Sequence, residues 1–270
     1  MNCLSLQKRV FIVKCLTEGM SIRATGRITG ASKTTILKLL FELGSACTTY
    51  MSEKFVNLDM RRIECDEIWS FCVAKSKNVP KERKEEWGVG DIWTWTCVDP
   101  DSRLVVTWFV GKRDGLCAAI FMDDVARRMK RRVQVSTDAH WSYAKSIGWA
   151  FKGGADHGIV EKVYGRKDGK GPMQCIAVMK GKGVGNPEEA LTSTAKVERQ
   201  NLAMRQGMRR YTRETNGHSK KIENHEAALG LHFAHANFCR VNPGLGTTPA
   251  MAAGIESHVW TLEDLVGLLA

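Results

Sequence analysis

Long hydrophobic runs are missing from this chain of 270 residues. No stretch approaches the roughly 20 consecutive apolar residues of a membrane span, so no membrane partner is expected. The opening MNCLSLQKRV turns polar and basic at once, which predicts no secretory signal. Metal-type cysteine spacing is missing too. The nine cysteines fall at 3, 15, 47, 65, 72, 97, 117, 175 and 239, with no Cys-x-x-Cys and no matching His pair, which argues against a structural zinc site. They read as buried thiols of a reducing cytoplasm, Cys65 as a small buried strand residue. Acid is in deficit: 29 Asp and Glu face 40 Lys and Arg, leaving a net charge of +11 and a pI near 9.3. That balance favours a polyanionic partner. Apolar content is ample for one large domain with a smaller one beside it.

Residues 1–46 read as three short helices. The first runs roughly from Ser5 to Glu18, with Val10, Val13 and Leu16 on one side and Gly19 as its stop. Ser21 can cap a second helix through about Thr29, closed by Gly30. Ser32 can cap a third, with Ile36, Leu39, Leu40 and Leu43 as its apolar stripe. Two short helices joined through Gly-Ala-Ser resemble a helix-turn-helix, whose second helix enters the major groove with its N-terminal residues against base edges. Lys33, Thr34, Thr35 and Lys38 would be its exposed readers, in a DNA-binding domain over 1–50. The alternative is a small helical packing module. A connector follows over 47–61, with the linker proper at 51–61.

A β-rich block then begins. A strand is expected from about Arg62 to Ala74, and the polar run 75–90 reads as an exposed loop. DIWTWTCVD and RLVVTWFVG are two more strands joined by the turn former DPDS, in an antiparallel meander, with Asp99 and Asp101 structural at the turn. Trp93, Trp95, Trp108 and Trp69 are expected in the core. A helix over about Leu116–Arg131 carries Ile120, Phe121, Val125 and Met129 at helical spacing. RVQVSTD is a short strand and HWSYAKSIGWAF a helix. Residues 152–192 read as a Gly/Lys-rich insertion, with short strands at HGIVEKVYG and MQCIAVMK. A helix resumes near Thr194 and another covers about Ser219–Cys239. In the tail, 241–270, a capping box at Thr261 and Asp264 opens an amphipathic helix with Leu262, Leu265, Val266 and Leu269. That helix suits an oligomer contact or packing within the monomer. The order of elements is that of an α/β, ribonuclease-H-like fold, a mixed sheet flanked by helices, formed by 62–151 and 193–240.

Three acids stand out. Asp66 and Asp138 lie on strand-like runs, and Glu198 lies on a basic helix. Carboxylates converging from three such elements can cage two Mg²⁺ ions about 3.5–4 Å apart, with Mn²⁺ as a substitute, and such a pair activates a hydroxyl and relieves phosphate charge. Each acid has a plainer reading. Glu67 could serve instead of Asp66, since alternation sends the two to opposite faces. Asp138 could cap the helix that follows. Glu198 could be a solvated helix acid paired with Arg205 or its neighbours.

The segments CDEIWSF, WTWTCVDPDSRLVVTWFVGKRD, RVQVSTD, VERQNLAMRQGMRRYTRETNGHSKKIENH and NFCR…TTPAMAAG together resemble transposases of the insertion-sequence-one family, over nearly the whole chain from about Leu6. The nearer resemblance is to its single-reading-frame bacterial relatives with an N-terminal helix-turn-helix. It implies a DDE transposase that nicks transposon ends and transfers their 3′-hydroxyls to target DNA. The first aspartate falls on Asp66, the second on Asp138 and the glutamate on Glu198. Ala139 stands where the family often has Gly, and Lys196-Val197 where it commonly has a tyrosine or similar residue; neither change removes a ligand. Also implied are double-stranded DNA partners, namely terminal inverted repeats and target, a homodimer or larger assembly on DNA, and a nucleoid-associated place in a bacterial cytoplasm. Arg199, Arg205, Arg209, Arg210, Arg213, Lys220 and Lys221 surround Glu198 in sequence and suit a phosphate track, with Arg205 and Arg209 on one helix face. His218 and His225 are weaker candidates beside it, and a satisfied histidine is the default there, as for His140 and His157. Two other functions fit the same features: a non-catalytic DNA-binding descendant, and a structure-selective nuclease of the same fold.

Overall fold

The computed structural model describes residues 4–166, 169 and 171–270; Cys3 lies outside the described residues. Two compact units are present. One comprises Met1–Phe55, Trp69–Thr94 and Gln200–Ala270, the other Val56–Ile68 and Trp95–Arg199.

In the first unit the helix caps are where the sequence puts them. Helix α1 (Leu6–Thr17) starts at Ser5, whose hydroxyl accepts from the Lys8 N–H, and ends before Gly19 at φ +75°. Its buried residues are Ile12, Val13 and Cys15, one step round from the expected stripe. The run VFIVKCL is apolar almost all round, so spacing alone does not choose its inward face. Helix α2 (Ile22–Thr29) is capped by Ser21 and closed by left-handed Gly30. Helix α3 (Lys33–Lys54) is capped by Ser32 and runs through much of the expected connector, because Cys47 and Met51 continue the buried stripe of Ile36, Leu39, Leu40 and Leu43.

Helix α3 packs on α7 (Ile222–Ala234), backbone against backbone. A Cβ on Gly44 would lie 2.0 Å from the Ala227 carbonyl oxygen, and one on Gly230 would lie 2.3 Å from that of Gly44. The same unit holds a buried polar chain. Thr94 meets Tyr211 at 2.5 Å, Tyr211 meets His225 Nε2 at 2.8 Å, and Ser219 meets His225 Nδ1 at 2.9 Å. Burial holds the His225 imidazole down at about 3, so it is neutral, a satisfied core histidine. The short α8 (Pro249–Ala252) follows a widened turn, and the capping box of Thr261 and Asp264 opens α9 (Leu262–Gly267). Leu265 and Val266 of α9 are buried within the chain.

One mixed sheet of six strands is built from β1 (Arg62–Cys72), β2 (Gly90–Val98), β3 (Val105–Gly111), β4 (Val133–Asp138), β5 (Ala155–Gly165) and β6 (Gln174–Lys182), in the order β3-β2-β1-β4-β5-β6. The pairs β1–β4 and β4–β5 are parallel and β5–β6 is antiparallel. Helices α4 (Gly115–Arg128) and α5 (Ser142–Phe151) follow β3 and β4. At the turn after β2, Asp99 accepts from the Asp101 and Ser102 N–H groups and the Ser102 hydroxyl, the structural role expected of it.

Several expectations need correcting. The short strand expected at HGIVEKVYG is longer, running over Ala155–Gly165 as β5 and pairing in parallel with β4; Gly158 and the buried His157 mask its alternation. Only Trp95 is fully buried, against Phe121 and Tyr143, while Trp93, Trp108 and Trp69 are half-buried. Ile120 is exposed, and α4 turns Phe121, Met122 and Val125 inward. Cys175, on the exposed strand β6, is no buried thiol. Among the described residues no helix is long and apolar enough to cross a membrane.

The glycine crossing gives a sharp test. Gly44→Ala is expected to cost about 2 kcal/mol in denaturant unfolding, overpacking outweighing the gain in helix propensity. Gly267→Ala, with no atom within 4 Å of the added carbon, is expected to be near neutral. Equal effects would contradict the crossing.

Candidate active site

Strand β1 carries three acids in four residues, Glu64, Asp66 and Glu67. Alternation gives Glu64 and Asp66 one face of the sheet and Glu67 the other. The β1–β4 register pairs Arg62 with Gln134 and Glu64 with Ser136. Continued by two residues, it sets Asp66 beside Asp138 on neighbouring strands, roughly 5 Å apart.

Glu67 is a structural ion. Its side chain is fully buried, accepts from Arg113 Nε at 2.6 Å and accepts from the Tyr143 hydroxyl at 2.7 Å. Burial and the Glu67 charge push the Tyr143 phenol well up. Arg113 also reaches Asp138, Nη2 to Oδ2 at 3.5 Å, so it ties the middle of β1 to the end of β4. The other Asp138 oxygen accepts from the His140 N–H at 2.9 Å. Asp138 therefore closes a local turn; α5 has Trp141 at its N-cap and no side-chain cap.

Glu198 reaches the same face by a tethered path. The chain from 188 to 198 crosses β4 and β5. Gln134 accepts from the Glu188 N–H at 2.8 Å and donates to the Glu188 carbonyl and the Thr192 hydroxyl. Ser136 Oγ accepts from the Ser193 N–H at 3.3 Å. Gly158 leaves room for Thr192, whose hydroxyl would lie 2.4 Å from a Cβ there. Helix α6 (Ala195–Gly207) then begins, with the Lys196 and Val197 N–H groups donating to Glu64 Oε2 at 2.6 and 3.0 Å. Glu198 accepts from Thr194 Oγ1 at 2.6 Å and from the Lys162 ammonium on β5. Lys162 is an ion-pair partner of Glu198.

The charges of the other two acids act on Asp66. Burial, then the charges of Glu67 and Asp138, lift Asp66 from its ordinary 3.8 to about 7, with Glu198 adding to the rise and a hydrogen bond from the Glu67 N–H opposing it. Three carboxylates on one face offer the hard oxygen donors that Mg²⁺ or Mn²⁺ takes, and a dication answers the like-charge repulsion at Asp66. The donor set fits such ions in kind. Among the described residues, no three His, Cys, Asp or Glu side chains stand close enough to hold one ion as they lie. Asp138 and Glu198 are turned to Arg113 and Lys162.

The basic residues divide. Lys33, Thr34 and Lys38 are exposed on the first turns of α3, Lys38 within 3.7 Å of Glu42; Thr35 is half-buried and bonded to Ser32. Arg199, Arg209, Arg213, Lys220 and Lys221 are exposed, and Arg205 is half-exposed. Arg210 is turned inward: its Nε donates to the Asn224 carbonyl at 3.3 Å, and burial lowers its guanidinium to about 10. Arg209 lies beyond the end of α6 and shares no helix face with Arg205. Residue-type spacing missed Glu64, Arg113, Tyr143 and Lys162. The acid two before Asp66, and so on its face, is the one signal that marks Glu64.

No family model matches this chain, and no curated protein matches it.

The raised Asp66 value has a consequence for stability. Without divalent ions the native fold keeps a proton that the unfolded chain gives up above its ordinary value. The associated stability is present below about pH 4 and lost as pH rises towards about 7. Asp66→Asn removes the charged form, so in chelator it is expected to raise the Tm at about pH 8 by a few degrees and leave it near wild type at about pH 4. A scanning-calorimetry difference independent of pH would contradict this.

Proposed function

We propose that this protein is a metal-dependent DNA transposase of the DDE type, with Asp66, Asp138 and Glu198 as its metal-holding carboxylates. The observation that carries the reading is that Asp66 lies on β1 beside the Asp138 strand and that the charges of Asp138 and Glu198 both raise its carboxyl. The sheet supports a ribonuclease-H-like reading. Its central strands run β1-β4-β5 in parallel with β2 and β3 outside, and the first two acids lie on adjacent parallel strands. The capped α2–Gly30–α3 turn supports a helix-turn-helix, with Lys33, Thr34 and Lys38 presented to DNA.

Each group has a definable task. The bound Mg²⁺ pair supplies an activated hydroxyl and relieves charge on the scissile phosphate. Asp66 offers its oxygens from the centre of the sheet. Arg113 fixes Asp138 against Glu67, and the Tyr143 hydroxyl completes the Glu67 shell. Lys162 and Thr194 hold Glu198. The exposed cations Arg199, Arg209, Arg213, Lys220 and Lys221 suit the phosphates of double-stranded DNA. Joining two element ends calls for a dimer or larger assembly.

The test is strand transfer with Mg²⁺ and DNA carrying the inverted repeats that flank the gene. Wild-type protein is expected to join these ends to target DNA. Asp66→Asn, Asp138→Asn and Glu198→Gln are expected to bind DNA and do no chemistry. Binding without cleavage by the wild type would make the protein a non-catalytic DNA binder, and cutting that ignores the repeats would make it a nuclease; either outcome ends the transposase reading. DNA affinity is expected to fall steeply with salt, the log–log slope shrinking by about 1 for each phosphate-contacting cation removed.

A further inference from the structure

The start of a helix leaves four backbone N–H groups without helical partners, and a side chain within a few residues usually meets them. At α6 the division is different. The Ala195 N–H donates to Ser193 Oγ at 3.1 Å, and the Glu198 N–H makes the first helical bond, to the Thr194 carbonyl at 3.0 Å. The two between, Lys196 and Val197, both donate to Glu64, which lies 132 and 133 positions earlier in the chain. Glu64 is 2% exposed, on the central strand of the sheet. A buried carboxylate at a helix N-terminus has amides and the helix dipole to answer its charge. Removing it leaves those two donors unmet inside the protein.

We infer that Glu64 is a positioning residue for Glu198, resting on the metal-cage reading above. Two adjacencies give the inference its content. Glu64 stands two residues before Asp66, on the same face of β1. Val197, whose N–H it holds, is the immediate neighbour of Glu198. One side chain therefore fixes the spacing between the strand that bears the first carboxylate and the helix that bears the third. Both N–H groups converge on a single oxygen, Oε2. A neutral amide oxygen in the same place can accept both bonds, so geometry outweighs charge in this role. A shorter side chain cannot reach, whatever its charge. Glu64 itself touches no substrate in this arrangement and supplies no ligand.

The test is Mn²⁺ binding by the full-length protein, followed by the electron paramagnetic resonance signal of the free ion, with circular dichroism to check folding. Mutation of groups that orient metal ligands typically costs about 10–100-fold in affinity, and Glu64→Ala is expected to fall in that range. Glu64→Gln is expected to bind within about threefold of wild type, because its amide oxygen can replace Oε2. Glu64→Asp keeps the charge but retracts the oxygen, and it is expected to weaken binding; it is read in place of Glu64→Ala if that variant does not fold. The decisive comparison is the double-mutant cycle. In a Glu198→Gln background, Glu64→Ala (or Glu64→Asp) is expected to change affinity by less than about twofold, since its effect passes through Glu198. The same loss in both backgrounds, or no loss in either, overturns the inference. So does Glu64→Gln binding as weakly as Glu64→Ala. Wild-type protein that takes up no Mn²⁺, or a Glu198→Gln variant that binds as well as wild type, instead overturns the metal cage and this inference with it.

Discussion

Three carboxylates within four residues of a central strand are a constraint that the surrounding structure has to meet. A buried charge is costly unless it is paired and hydrogen-bonded. The fold meets Glu67 and Glu64 with groups from elsewhere in the chain, and Asp66 accepts from the neighbouring Glu67 N–H. Glu67 has Arg113 and Tyr143 on one face, and Glu64 has the first amides of α6 on the other. Each answer recruits an element: Arg113 comes from the end of β3, Tyr143 from α5, and α6 from far along the chain. At Asp66 the charges of Glu67, Asp138 and Glu198 raise the carboxyl and the Glu67 N–H opposes them. The same strand thus carries partnered acids on both faces of the sheet, with Asp66 on the face of Glu64.

The segment from 188 to 198 shows how a helix can be delivered to a sheet without a close partner in sequence. It is held in steps by Gln134 and Ser136, admitted by the missing side chain at Gly158, and fastened by Glu64. Lys162, two residues past the partner of Asp138 on β5, then meets Glu198. Parallel register and alternation explain why these residues share a face. Ser136 and Asp138 on β4 follow Gln134 at intervals of two, as Asp66 follows Glu64 on β1.

How much of this was legible in the sequence depends on whether the physics is local. The helix caps at Ser5, Ser21, Ser32 and Thr261 form as the sequence suggests, because a hydroxyl and an N–H three residues away need no other part of the chain. The strands before Asp66 and Asp138 read well because their apolar runs are dense. Strand β5 read only as a short strand of uncertain pairing, since a glycine and a buried histidine stand where apolar residues would mark the inward face. The inward turn of Arg210 and the half-burial of Trp93 and Trp108 depend on distant neighbours and have no local signature. Glu64 is the clearest case: a cap 132 residues away cannot be read from spacing. The choice between Asp66 and Glu67 was left open by the alternation rule; Arg113 and Tyr143 occupy Glu67, which is why Asp66 is the one proposed.

The central claim is that Asp66, Asp138 and Glu198 act together on divalent ions. The most direct measurement is a crystal structure of the wild-type protein grown with Mn²⁺, its ions located by anomalous scattering. The account predicts manganese bound by oxygens of all three side chains, with Glu198 drawn from Lys162 and Asp138 from Arg113 towards Asp66. Manganese bound elsewhere, or bound by Asp66 while Glu198 stays with Lys162, would contradict it.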